Sequence, residues 1–198
     1  MKGYFTLRKK AIEILDSQLS DKLYYHGIDH TLDVLKVVNK YIERSGIPER
    51  EAKLLRLGTL YHDIGFTVSN EEHEKHSAEI ARKHMEALHF DEADIEVVEG
   101  LIAATRIPQY PKNELEMIIC DADLDYLGRK DFWPISDSLF KELKAFGKVD
   151  TKHQWNKIQI SFLEKHSYHT QYAREKRQPA KEKRIKELKA MINQSIED

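Results

Sequence analysis

The chain has 198 residues, enough for one domain with a sizeable core and a terminal extension at most. Hydrophobic residues make up 40% and charged residues 33%, with only 8 glycines and 5 prolines, a balance that favours a helix-rich soluble protein over a many-turned β-sandwich. A single cysteine, Cys120, excludes an internal disulfide and a cysteine-rich zinc site, and a net charge of −2 argues against a globally basic nucleic-acid binder.

No apolar run approaches the ~18 residues needed to cross a bilayer, and the N-terminus lacks the apolar region of a signal peptide. The expected location is therefore the cytoplasm, with no membrane partner, and a homo-oligomer is compatible with the sequence. Residues 4–19 carry Phe5, Leu7, Ile12, Ile14, Leu15 and Leu19 at mostly three- and four-residue spacings, which predicts an amphipathic helix. The stretch Tyr25-His26-Gly27-Ile28-Asp29-His30 follows and leads into a second helical period, stopped by Gly46 and Pro48. Asp29 reads as the N-cap, which puts His30 in the first turn and His26 in the loop before it.

Residues 49–64 predict a helix that is apolar nearly all round and hence buried. It ends in Leu60-Tyr61-His62-Asp63-Ile64-Gly65. Adjacent residues on a helix point about 100° apart, so His62 and Asp63 can face one small object in front of it. A His-Asp pair by itself is a common accident. A buried one is not, because an unpaired carboxylate in a core is very costly. Gly65 reads as a helix C-terminal glycine.

Glu71 to Leu88 predicts a helix carrying His73, Glu74, His76 and Ser77, with His73 and His76 on one face or simply on a solvated one. Ala93 to Thr105 predicts another core helix, ending before Pro108. In Leu115 to Gly128 the aspartates 121, 123 and 125 alternate inside a highly apolar segment, where a purely structural protein seldom places carboxylates. Helices follow at 131–146 and 153–168. The segment Ala173 to Lys189 is locally basic and reads either as a solvated helix or as Arg174, Arg177 and Lys181 leaning over an anionic substrate.

His30, the pair His62-Asp63 and an aspartate near 121 thus lie on different predicted helices, as do metal ligands assembled in a helical bundle. Histidine, His-Asp and a later aspartate in this order resemble the HD-domain superfamily of metal-dependent phosphohydrolases over roughly residues 22–130. Tyr25-His26-x-x-x-His30 is similar to a segment of its cyclic-nucleotide phosphodiesterase branch. His73-Glu74-x-x-Ser77 and Asp121-Ala122-Asp123-Leu124 resemble segments of its bacterial members.

The resemblance implies an all-α, HD-domain-like bundle: a single domain over 1–198, with the metal-site core at about 22–130 and a helical extension at about 131–198. It implies a divalent metal ion (Mn, Fe, Co, Ni, Zn or Mg) held by His30, His62, Asp63 and Asp121. The late motif is one residue shorter than the common family form, which leaves Asp123 as the alternative ligand. His73 and His76 are candidates for a second metal, although Thr105-Arg106 stands where many relatives carry a further histidine. His26 corresponds to the residue that protonates the leaving oxygen.

The implied activity is hydrolysis of a phosphate ester or anhydride in a small nucleotide or related metabolite, with cyclic-nucleotide phosphodiesterase activity as one form of it. Asp63, a ligand through one oxygen, would orient the attacking water. The alternatives are a non-catalytic nucleotide-binding module and a di-iron oxygenase on the same fold. The sequence names neither the substrate nor the metal.

Overall fold

A computed structural model describes residues 3–197, with side chains through 194. Among the described residues there is no strand, and the predicted helical periods become helices almost one for one. They fall into two compact units that divide between Asp123 and Leu124. The sequence had suggested one domain with its extension starting near 131.

The first unit holds α1 (Tyr4–Gln18), α2 (Ile28–Ser45), α3 (Glu49–Tyr61), α4 (His73–Glu86), α5 (Glu92–Ala104) and α6 (Glu114–Asp123). The second holds α7 (Phe132–Ala145), α8 (Lys152–Lys165), α9 (Gln171–Lys176) and α10 (Gln178–Glu197). Two 3-10 turns, Ile64–Thr67 and Asp125–Gly128, complete the element list.

Helix α3 is the axis of the first unit because it is apolar nearly all round, leaving water only its first turn and a narrow strip at Lys53 and Arg56. Ala52, Leu54, Leu55, Leu57, Gly58, Thr59, Leu60 and Tyr61 are all buried along it. Full burial of each leucine contributes roughly 1.5–3 kcal/mol, so this single helix carries much of the unit's apolar gain. Its walls are α1, α2, α5 and α6. Leu7 and Leu15 of α1, Met85 of α4 and Val98 and Ile102 of α5 join its side chains in one core.

Several ends differ from the sequence reading. Gly27, not Asp29, is the N-cap of α2, so Asp29 lies in the first turn, where its charge complements the helix dipole. Helix α3 stops at Tyr61, and His62 and Asp63 form the bend into the 3-10 turn. Gly65 therefore caps no helix. It sits inside that turn, where a Cβ would overlap the carbonyl oxygen of His73 and stand 2.7 Å from the Ser77 nitrogen. The turn can lie on the first turn of α4 only because position 65 has no side chain.

In the second unit the basic segment is two helices rather than one. Proline at 179 cannot donate a backbone hydrogen bond to Glu175, so the chain breaks at Arg177 and restarts with Pro179 in the first turn of α10, where that loss costs nothing. Close packing pins the break. A Cβ on Gly128 would stand 2.6 Å from the Arg177 Cα, so the 3-10 turn at 125–128 lies directly on the junction.

Candidate metal centre

Three chain segments of the first unit meet at one point. The first turn of α2 brings His30, the end of α3 brings His62 and Asp63, and the last residue of α6 brings Asp123. One ligand atom from each of His30, His62 and Asp123 lies within 4.8 Å of the others. His30 Nε2 is 3.1 Å from Asp123 Oδ1 and 3.5 Å from Asp63 Oδ2. His62 Nε2 is 3.2 Å from Asp63 Oδ2 and 3.6 Å from Asp123 Oδ1.

The orientation of His62 follows from the helix it terminates. The last carbonyls of a helix have no intrahelical partner, and His62 Nδ1 lies 2.8 Å from one of them, the Thr59 oxygen. A carbonyl only accepts, so Nδ1 carries a proton, and in the neutral ring Nε2 presents a lone pair. That lone pair faces the Asp63 carboxylate in a site where His62 is 1% and Asp63 3% exposed. Neither His62 Nε2 nor Asp63 Oδ2 has a hydrogen-bond partner. Two buried acceptors facing each other repel unless a cation lies between them, so these residues fit a bound metal.

The ionisation of the site states the same demand. Burial by itself pushes the His62 imidazolium toward losing its proton, yet Asp63 and Asp123 overcome this and raise its pKa well above the ordinary value. Burial likewise opposes the Asp63 charge, but His62, His26 and His30 hold the carboxyl far below its usual range. Asp123 is held at about 2 against its burial by His30 and His62. Lacking a metal, the carboxylates draw a proton onto the imidazole in its place.

Of the two aspartates, Asp123 is the one whose carboxylate lies with His30 and His62. The two are about 200° apart on α6 at 100° per residue, so they cannot face the same point. Asp121 is completely buried and lies outside the cluster, and Asp125, beyond the end of α6, pairs with Arg177 at 2.6 Å. His30, His62 and Asp63, three residues of the expected ligand set, lie side by side.

The other candidates divide. His73 Nε2 lies 3.5 Å from the second oxygen of Asp63 and 3.5 Å from Glu74 Oε1, so Asp63 has a histidine on both sides. Burial lowers the His73 pKa, with Asp63 opposing, which favours the neutral ring that a metal requires. His76 turns instead to Glu79, 3.4 Å away at the surface. His26 is close to the cluster, its ring centroid 5.9 Å from that of His30. Arg174, Arg177 and Lys181 are held within the second unit: Arg174 by the His169 carbonyl, Arg177 by Asp125, and Lys181 by the carbonyl and Nδ1 of His166.

Residues that are not candidate ligands also shape the site. Tyr25 packs against His26 and His30, each at 4.6 Å between centroids. Phe66 stacks on His26 and His73. Thr59 is three residues before His62, a spacing that places it on the same face. Ser77 explains its motif structurally, since its hydroxyl accepts from Gly65 N–H at 2.8 Å and ties the turn after Asp63 to α4.

An all-helical unit with a buried His/Asp cluster drawn from three chain segments defines a helical metalloprotein. The HD domain family matches residues 27–125, half of the chain and the whole span from before His30 to beyond Asp123. The chain belongs to this family, which is one of metal-dependent hydrolases. No curated protein and no solved structure matches it.

Proposed function

We propose that the protein is a metal-dependent phosphohydrolase that cleaves a phosphate ester or anhydride in a small nucleotide or related metabolite. One observation carries the reading: His62 Nε2 and the Asp63 carboxylate meet at 3.2 Å, buried, where His30 and Asp123 converge on the same point. When bound, a divalent cation supplies Lewis acidity, withdrawing electron density from a phosphoryl oxygen and acidifying water.

The chain's own residues do the rest. His30, His62 and Asp123 hold the ion, with Asp63 completing the set through the oxygen that faces both histidines. The other Asp63 oxygen, on the His73 side, accepts a hydrogen bond from the attacking water and aims it at phosphorus. As the bond from phosphorus to the leaving oxygen breaks, that oxygen needs a proton. His26 supplies it, since an imidazole titrates close to working pH.

The test is a phosphate-release screen over a panel of nucleotides with Mn, Co, Ni, Mg and Fe, run beside His62→Ala. Metal-dependent release by the wild type, lost in a folded His62→Ala protein, is the expected result. A folded variant with undiminished turnover sinks the proposal. The position of His73 beside Asp63 favours a second ion as a further reading, which elemental analysis decides: two metals per chain support it. One metal per chain removes it, together with any di-iron oxygenase chemistry.

A further inference from the structure

Phe66 is neither a ligand nor a fully buried core residue, yet it touches two of the histidines that surround Asp63. Its ring stacks on His26 with centroids 4.5 Å apart and an interplanar angle of 27°, and on His73 at 4.0 Å and 20°. The two imidazoles are themselves 6.3 Å apart. His26 lies just before Gly27, the N-cap of α2, so no helix fixes its backbone. Its ring packs against two neighbouring rings, with Tyr25 edge-on at 86° and Phe66 nearly parallel.

Phe66 itself is firmly placed. Its N–H donates to the Asp63 carbonyl at 3.1 Å, and the preceding Gly65 N–H donates to Ser77 Oγ. The turn that carries the Asp63 carboxylate therefore carries Phe66 three residues on. Through one ring contact it sets His26, more than thirty residues earlier in the chain, relative to that carboxylate.

We propose that Phe66 is a positioning residue, holding the His26 imidazole in the orientation from which it protonates the leaving oxygen. The inference rests on the hydrolytic reading given above. It makes a demand that a general structural role does not: the effect must depend on how much the leaving group needs a proton. A nitrophenolate leaves without one, whereas the 5′-alkoxide of a nucleoside does not.

The experiment compares wild type, Phe66→Leu, Phe66→Tyr and His26→Ala on p-nitrophenyl phosphate and on deoxyadenosine 5′-monophosphate, with the metal that best supports turnover. Phe66→Leu is expected to lower kcat on the nucleotide by roughly 10- to 100-fold, the range of a displaced general acid, with KM within about threefold. Turnover of p-nitrophenyl phosphate is expected to change by less than about threefold, and Phe66→Tyr to restore the nucleotide rate. In a His26→Ala background, Phe66→Leu is expected to cost nothing more.

Equal losses on both substrates, or a further loss without His26, overturn the positioning role. A wild-type protein that turns over neither these substrates nor any nucleotide of the screening panel, with any of the five metals, overturns the hydrolytic reading instead. The contact is judged without turnover: stacking shields the His26 ring protons, so their NMR resonances are expected to move downfield in Phe66→Leu. Resonances that stay in place overturn the positioning role whatever the activity.

Discussion

At the scale of single residues, the centre depends on how His62 is turned. The Thr59 carbonyl accepts from Nδ1, which leaves Nε2 facing Asp63 and Asp123, ready to meet a metal once its proton is displaced. Choosing between aspartates belongs to this scale too. Asp123→Asn is expected to weaken metal binding by more than about 100-fold, since even outer partners of ligands are worth 10- to 100-fold. Asp121→Asn is expected to keep stoichiometric metal. Elemental analysis of the two purified variants checks both, and the reverse pattern would move the ligand to Asp121. The sequence showed that an aspartate in this stretch had to matter, because carboxylates are rare in so apolar a segment. It did not show which one, because that depends on where α6 points its last turn.

At the scale of elements, the 3-10 turn after Asp63 is the part with least freedom. It is pressed onto the backbone of His73 and Ser77 through Gly65, and it delivers both Asp63 and Phe66. Gly65→Ala must push α4 away from the turn. Forced overpacking of this kind costs about 1–3 kcal/mol. The melting temperature is expected to fall by roughly 2–12 °C for a chain of this size, read by circular dichroism. An unchanged melting temperature would mean that the close approach is absent in solution. Helix existence was legible throughout, since long apolar periods leave few alternatives. Helix ends were less so: nothing local distinguishes a glycine that caps α3 from one that another helix's backbone crowds. Phe66 gave no signal at all, because a stack between residues 26, 66 and 73 has no period.

At the scale of the molecule, the chain divides into two compact units, where length and composition suggested a single domain. A boundary at Asp123 is invisible in sequence because no glycine or proline marks it; it reflects which helices pack together. The linked ionisations of the first unit govern stability against pH. His62 has a folded pKa raised above its unfolded value of about 6.5, so its contribution is complete below that pH and is lost as pH rises through the raised value. Asp63 and Asp123 have lowered values, so their contributions are complete above about 4 and are lost as pH falls through the folded ones. Metal-free protein is therefore expected to be most stable between about pH 4 and 6.5. Saturating metal replaces the proton on His62 and is expected to extend that plateau to higher pH. Melting curves with and without chelator across this range test it, and identical curves would rule out metal binding at the cluster.

The depth of His62 and Asp63 has a kinetic side as well. His62 and Asp63 keep only 1% and 3% of their surface open, against 8% and 14% for the side chains of His30 and Asp123, so water and ions approach the cluster from the His30 and Asp123 side. The floor of the site, the α3 end and the turn after it, is fastened by Gly65 and Ser77 and does not swing away from a bound ion. A metal held there is therefore expected to exchange slowly, over a prolonged incubation with chelator rather than on mixing.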